Sequence, residues 1–415
     1  MDWYDSSLFC DDLPTRPDLN SGIILVTGAS GYVGGRLVTG LLKRGYRVRI
    51  MVRSLSQDYN ARWPEAEIVV GDALDPESLE RALDGIGAAF YLIHSLVFGS
   101  AHYLKVDCAM AENFRIAAEK NNIKRIIYLG GLGAGVGEHS PELKTRMKVA
   151  GLLKGDLIPV TVLRTSLILG SGSASFEMIK HLVTSSPVIF LTDYLNVKCQ
   201  PIGIRDVLKY LVGVLETPET KDKSYDIGGK DILTYFNLFT IMGEIVGKKS
   251  RFIHVPFLKI ASFSYLLSLL TPVSVTIIRF LMEGISHDIV CSSYEIRKII
   301  PFTPASYREM VRKALAREIE EDVDTRWSDA YPVAHSLEKK LSDLDPPPNY
   351  SCSYSILSKK KAESIFFSVT RIGGASGWFN SNVLWKIRGV IDSLLMGAGA
   401  IGICFFRFTI LSLQI

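Results

Sequence analysis

The segment Ile23-Ile24-Leu25-Val26-Thr27-Gly28-Ala29-Ser30-Gly31-Tyr32-Val33-Gly34 constrains this chain more than any other. Four apolar residues read as a buried strand. Three glycines spaced G-x-x-G-x-x-G then turn the chain into a helix that starts near Tyr32. A side chain at such glycines would hold the backbone away from a pyrophosphate, whose charge sits on the unpaired N–H groups of the helix N-terminus. A glycine triplet alone recurs by chance in loops. Its weight here comes from order: strand, turn, helix and a second strand (Arg47 to Val52) follow at the lengths a nucleotide-binding unit needs. The segment therefore predicts a dinucleotide site, with Gly28, Ser30, Gly31, Tyr32, Val33 and Gly34 as its cradle.

The alternation continues to about Leu169. The pattern predicts strands at Ile23–Val26, Val48–Val52, Ile68–Val70, Ala88–Ile93, Arg125–Leu129 and Val160–Leu163. Helices are expected at Val33–Arg44, Pro76–Leu83, Tyr103–Lys120 and Glu142–Leu153. Asp75-Pro76-Glu77 supplies a capping residue, a first-turn proline and a first-turn acid. Such alternation implies an α/β fold, a Rossmann-type doubly wound parallel sheet, over residues 21–169. From 170 to 316 the rhythm is richer in helix, as expected of a smaller α-rich substrate lobe interleaved with the sheet. Its apolar and aromatic residues Phe257, Phe263, Tyr265 and Leu269 read as core, or as lining for an apolar substrate. An acidic run, Glu318-Ile319-Glu320-Glu321-Asp322-Val323-Asp324, reads as a solvated helix end or linker. It opens a C-terminal α+β region, 317–415, with a strand expected at 350–357 and a helix at 361–369. Residues 1–20 read as a loose leader.

Among 415 residues, 47 basic side chains oppose 43 acidic ones, which makes no electrostatic case for nucleic acid. Six cysteines are scattered without C-x-x-C pairs or histidines at metal spacing, so no metal is expected and a reducing, cytoplasmic setting is. The acidic N-terminus lacks the apolar core of a secretory signal. Ile260–Ile278 carries no charge over 19 residues, close to the ~20 a membrane span needs. Pro272 and the serines Ser262, Ser264, Ser268 and Ser274 interrupt it, so a pair of buried or amphipathic helices is expected, with a membrane span the alternative.

In this fold the second strand ends beside the adenine ribose, where an acid accepts the 2′-hydroxyl of NAD and an arginine meets the 2′-phosphate of NADP. Here the strand ends in Arg53-Ser54, and no acid precedes Asp58. Arg36, one turn into the first helix, is a second candidate. NADP(H) is thus favoured over NAD(H). Asp72 and Ala73 end the third strand and suit the adenine amino group. His94 and Ser95 follow the fourth strand and stand as nicotinamide neighbours.

These stretches resemble the atypical short-chain dehydrogenases/reductases, the extended NAD(P)-binding kind, over roughly Gly22 to Ala316. The likeness is carried by Thr27–Arg36, Gly71-Asp72, Tyr91–Ser95, Arg125–Leu132, Gly170–Glu177 and Gln200–Val207. Arg371-Ile372-Gly373-Gly374, Gly377-Trp378 and Leu384–Gly389 look like the signature of a C-terminal domain of unknown function found in one bacterial subgroup. That domain would normally continue past Gly399 with glycine- and arginine-rich sequence. Ala400–Ile415 departs from this, so an incomplete last domain is expected, and a short membrane-associating tail is the alternative. The resemblance implies Tyr-x-x-x-Lys on the helix after strand five, with tyrosine as acid/base. Lys144-Thr145-Arg146-Met147-Lys148 offers the lysine without the tyrosine; Tyr194…Lys198 and Tyr294…Lys298 fit the spacing by coincidence, far along the chain. Ser95, Lys144 and Lys148 remain as substitute proton donors. Two readings follow: an NADP-dependent reductase of a small apolar carbonyl or enone, or a cofactor-binding sensor or structural subunit without turnover.

Overall fold

The computed structural model describes residues 10–53, 55, 57–94, 103–133, 141–185, 188–191, 196–248, 251–254, 264, 267, 278 and 288–319. The chain divides into two compact units, Met1–Tyr331 and Pro332–Ile415, and every described residue belongs to the first. Ser95, Tyr194, nearly all of the uncharged 260–278 stretch and the C-terminal region from 320 onward lie outside the described residues, with the strand, helix, signature and tail expected there.

The first half alternates as the sequence predicts: β1 (Ile23–Thr27), α1 (Tyr32–Lys43), β2 (Val48–Val52), α2 (Gln57–Arg62), β3 (Glu67–Val70), α3 (Pro76–Leu83), β4 (Ile86–Tyr91), α4 (Tyr103–Lys120), β5 (Arg125–Gly131), α5 (Pro141–Leu153) and β6 (Val160–Thr165). The chain then runs through β7 (Ile168–Leu169), α6 (Ala174–Ser185), β8 (Val188–Leu191), β9 (Lys198–Cys199), β10 (Ile202–Gly203), α7 (Ile204–Glu216), β11 (Ser224–Ile227), β12 (Leu233–Thr234), α8 (Tyr235–Val246), β13 (Arg251–His254), α9 (Ile296–Ile299) and α10 (Tyr307–Ile319). Seven strands form one parallel sheet in the order β11-β6-β5-β4-β1-β2-β3.

The strands read as unbroken apolar runs because both sheet faces are covered. Successive side chains point to opposite faces. Ile24 and Val26 join a core with Leu37, Val38 and Leu41 of α1 and Val207, Leu208 and Leu211 of α7. Leu25, between them, joins the opposite core with Leu79 of α3, Phe114 of α4 and Leu153 of α5. Helices α6, α8 and α10 enclose a third core around Phe176, Leu182, Leu238, Met242 and Tyr307. The second lobe is interleaved with the first: α7 packs on α1, and β11 returns to the edge of the large sheet.

Two expectations change. The sequence extends the fourth strand to Ile93, but β4 stops at Tyr91, because the Leu92 N–H donates to the Thr27 hydroxyl (3.0 Å) instead of to a neighbouring strand. The leader is packed from Cys10 onward, not loose. Cys10 and Leu13 are buried in the core shared by α1 and α7. Arg44 donates to the Cys10 and Thr15 carbonyls (2.8 and 2.7 Å) and pairs with the wholly buried Glu216 carboxylate at 2.6 Å. That carboxylate also accepts from Thr15 Oγ1 (2.5 Å) and Tyr46 (3.3 Å). A buried ion pair survives only when its remaining polar atoms are bonded in this way.

Candidate functional site

The order of the sheet reverses between β1 and β4: the chain winds outward through β2 and β3, then crosses back. At such a switch point the C-terminal strand ends open a crevice. Thr27 pins it. Its fully buried hydroxyl donates to the Phe90 carbonyl (2.9 Å) while accepting from Leu92 N, joining the two diverging strands. Gly28 follows at φ +66°, and a Cβ there would lie 2.7 Å from the Leu92 carbonyl oxygen. The turn folds on itself, with Gly31 N–H donating to the Gly28 carbonyl at 2.9 Å. A Cβ on Gly34 would lie 2.2 Å from that same carbonyl oxygen. Helix α1 starts on Gly31 without a side-chain cap or a first-turn acid. Its first N–H groups therefore lack intrahelical partners. A cradle that any Cβ would fill, beneath an uncapped helix end, fits a pyrophosphate. Ser30 and Val33 are half-buried in the same turn.

At the adenine end, Arg53 follows β2, exposed and without a hydrogen bond or ion pair among the described residues. Asp72 follows β3, also exposed. Its Oδ1 accepts from Leu74 N (2.9 Å), and its own N–H donates to Ser78 Oγ (2.9 Å), so this turn is held open from inside. Ala73 is buried, and Asn113 of α4 donates to its carbonyl at 3.2 Å. Thr27 and Asn113 escaped the sequence reading. Asparagine is a poor helix former, and one on the inner side of α4 was the available signal.

Arg36 is placed differently from the sequence expectation. It is buried, its Nη2 donates to the Ser171 carbonyl (2.9 Å), and it lies 4.7 Å over the Tyr32 ring. It ties α1 to the loop after β7. The Tyr32 hydroxyl abuts Gly170, and burial pushes it up to about 12. It stays protonated.

At the opposite end, His94 follows β4 and is exposed to solvent although many protein atoms surround it. That crowding, then the positive field of Arg146, lowers its imidazole well below the ordinary range. Neutral imidazole is the resting form. On α5, Thr145 and Val149 face inward, Arg146 is half-buried, and Lys144 and Lys148 lie outward. The charge of Lys148 bears on Cys108 of α4. The structure thus brings Arg146 to His94, and leaves both lysines on the exposed stripe of the helix. Among the described residues, no helix is long and apolar enough to cross a membrane.

The cradle agrees with what this chain is similar to. A family model described as NAD(P)H-binding matches residues 28–156. Residues 28–156 are an NAD(P)H-binding domain of Rossmann type. The chain is 24% identical to the photosystem II assembly factor Ycf39 of Trieres chinensis, over 56% of this chain and 72% of that protein. It is 25% identical to the ceramide reductase of Caulobacter vibrioides (strain NA1000 / CB15N), over 57% of this chain and 74% of that protein. Among solved structures, the triphenylmethane reductase of Citrobacter sp. shares the fold at TM-score 0.58 and 22% identity, covering 71% of this chain and 99% of that one. The Rossmann domain makes this an NAD(P)H-binding, oxidoreductase-like chain, and its nucleotide is a small-molecule ligand.

Proposed function

We propose that the chain is an NADP(H)-dependent reductase of a small apolar carbonyl or enone compound. Arg53 carries the cofactor preference. It is the exposed cation at the end of β2, and the sequence puts no acid beside it to accept a ribose hydroxyl or repel a phosphate. In this reading the Gly28–Gly34 backbone holds the pyrophosphate, Asp72 the adenine amino group and Arg53 the 2′-phosphate. The bound cofactor supplies hydride, and His94 and Arg146 border the reacting end. The similarity to a ceramide reductase supports turnover on an apolar compound. Calorimetry with NADPH and NADH, followed by NADPH consumption against quinones, enals and ketones, tests both halves. Tighter NADPH binding with consumption is expected; binding of neither nucleotide overturns the reading.

A second reading, a sensor or structural subunit, is favoured by one observation. Serine, not tyrosine, stands four residues before Lys144. The similarity to an assembly factor points the same way. NADPH binding without consumption of any acceptor would establish this reading instead.

A further inference from the structure

Resting on the reductase reading, one arrangement goes beyond the sequence candidates. Strands β4 and β5 pair in register through Tyr91 and Tyr128, so the residues that follow, His94 and Gly131, emerge at the same end of the sheet. Gly131 lacks a side chain where Arg146 needs the room: a Cβ there would lie 2.9 Å from Arg146 Cδ and 3.7 Å from its Nε. The arginine stem therefore crosses the C-terminal end of β5, and its positive field reaches His94.

We propose that Arg146 stabilises the negative oxygen that forms when the substrate accepts hydride, and that the substrate is a conjugated carbonyl rather than an isolated ketone. Hydride adds to the β-carbon, the C=C pair shifts toward the carbonyl, and an enolate oxygen results. Arg146 donates N–H bonds to that oxygen, and water later protonates the α-carbon. An isolated ketone would instead yield an alkoxide, a much stronger base that needs a proton during the transfer. Arg146 is not suited to give one. A permanently charged guanidinium suits an oxyanion and is a poor proton donor.

The test uses the full chain and its variants Arg146→Met and Arg146→Lys. With NADP+ present, 4-nitrophenolate serves as the oxyanion mimic and is followed by its absorbance. Its affinity should fall about 10-fold in R146M and recover partly in R146K, as for a charge-assisted bond, while NADPH affinity stays within about twofold. The wild type should reduce cyclohexenone and leave cyclohexanone, with kcat for the enone falling about 100-fold in R146M. In the nucleotide-free protein, the His94 imidazole should titrate at higher pH in R146M. Equal phenolate affinity in wild type and both variants overturns the role of Arg146, and equal turnover of ketone and enone overturns the substrate class. Should R146M not fold, R146K alone decides, because a lysine cannot reproduce the guanidinium fork. Wild-type protein that consumes NADPH with neither acceptor defeats the reductase reading, and the phenolate arm then judges Arg146 by itself.

Discussion

The two ends of the crevice are built on opposite plans. The pyrophosphate end is one stretch of chain, Thr27–Gly34, whose working atoms are backbone and whose glycines leave space that the same backbone fills. The β4–β5 end gathers His94, Gly131 and Arg146 from three separate elements, and its working atoms are side chains. Both ends use a glycine to make room, but for different neighbours. At Gly34 the neighbour is the Gly28 carbonyl oxygen, 2.2 Å from where a Cβ would stand, and it cannot move without unwinding the turn. At Gly131 the neighbour is the stem of Arg146, which can change rotamer. One end is rigid and fixes the cofactor, whereas the other can adapt, which allows chemistry to vary on a constant platform.

The sharpest way to break this comparison is to add the same methyl group at each end. In Gly34→Ala, NADPH affinity should fall by roughly 5- to 150-fold, since overpacking costs about 1–3 kcal/mol and tenfold is about 1.4 kcal/mol. In Gly131→Ala, affinity should stay within about threefold while turnover drops as Arg146 is displaced. Calorimetry on both variants reads the contrast, and equal losses would erase it. Next in size is Arg53→Ala at the adenine end. Loss of a charge-assisted pair should weaken NADPH by roughly 10- to 100-fold and leave NADH unchanged. Competitive titration of the two nucleotides measures that ratio; an unchanged ratio would remove Arg53 from the site.

The same contrast explains what the sequence made legible. The turn and the fold could be read because their determinants are local: apolar runs, glycine spacing, and the Asp75 cap, which accepts from Glu77 N at 3.1 Å as expected. What escaped depends on contacts between distant residues. The end of β4 was misplaced by two residues because a threonine 65 positions away captures Leu92 N. Arg36 was assigned to the ribose because nothing in its own helix announces Ser171, 135 positions on. On α5, Lys144 and Lys148 share one face and Arg146 lies on another, in a helix with little apolar periodicity, so only packing shows that Arg146 is the one turned toward β5. The N-terminal segment looked loose because its anchor, Glu216, lies on α7.

Thr27 joins the two ends, and Thr27→Val tests whether they fold as one unit. The substitution keeps the volume but leaves the Leu92 N–H and Phe90 carbonyl without their partner, a loss of about 1–3 kcal/mol. Urea unfolding should show it as a lower midpoint with an unchanged slope. A changed slope would mean that the strands separate before the rest of the sheet.

His94 gives the smallest effect, and its sign is the informative part. An unfolded histidine takes up its proton near pH 6.5, whereas the folded imidazole resists until about pH 4. Between those values the unfolded chain binds more protons, so this residue's contribution is intact above pH 6.5 and is lost as pH falls toward 4. Because the residue is exposed, solvent damps the loss. His94→Gln should therefore lower the unfolding midpoint slightly less than wild type does between pH 7 and pH 5. Adding Arg146→Met should shrink the wild-type pH slope as well, because the field opposing protonation at this end comes from that cation. If the slope responds to His94→Gln but not to Arg146→Met, burial alone governs the imidazole, and the side-chain end of the crevice is less coupled than its geometry implies.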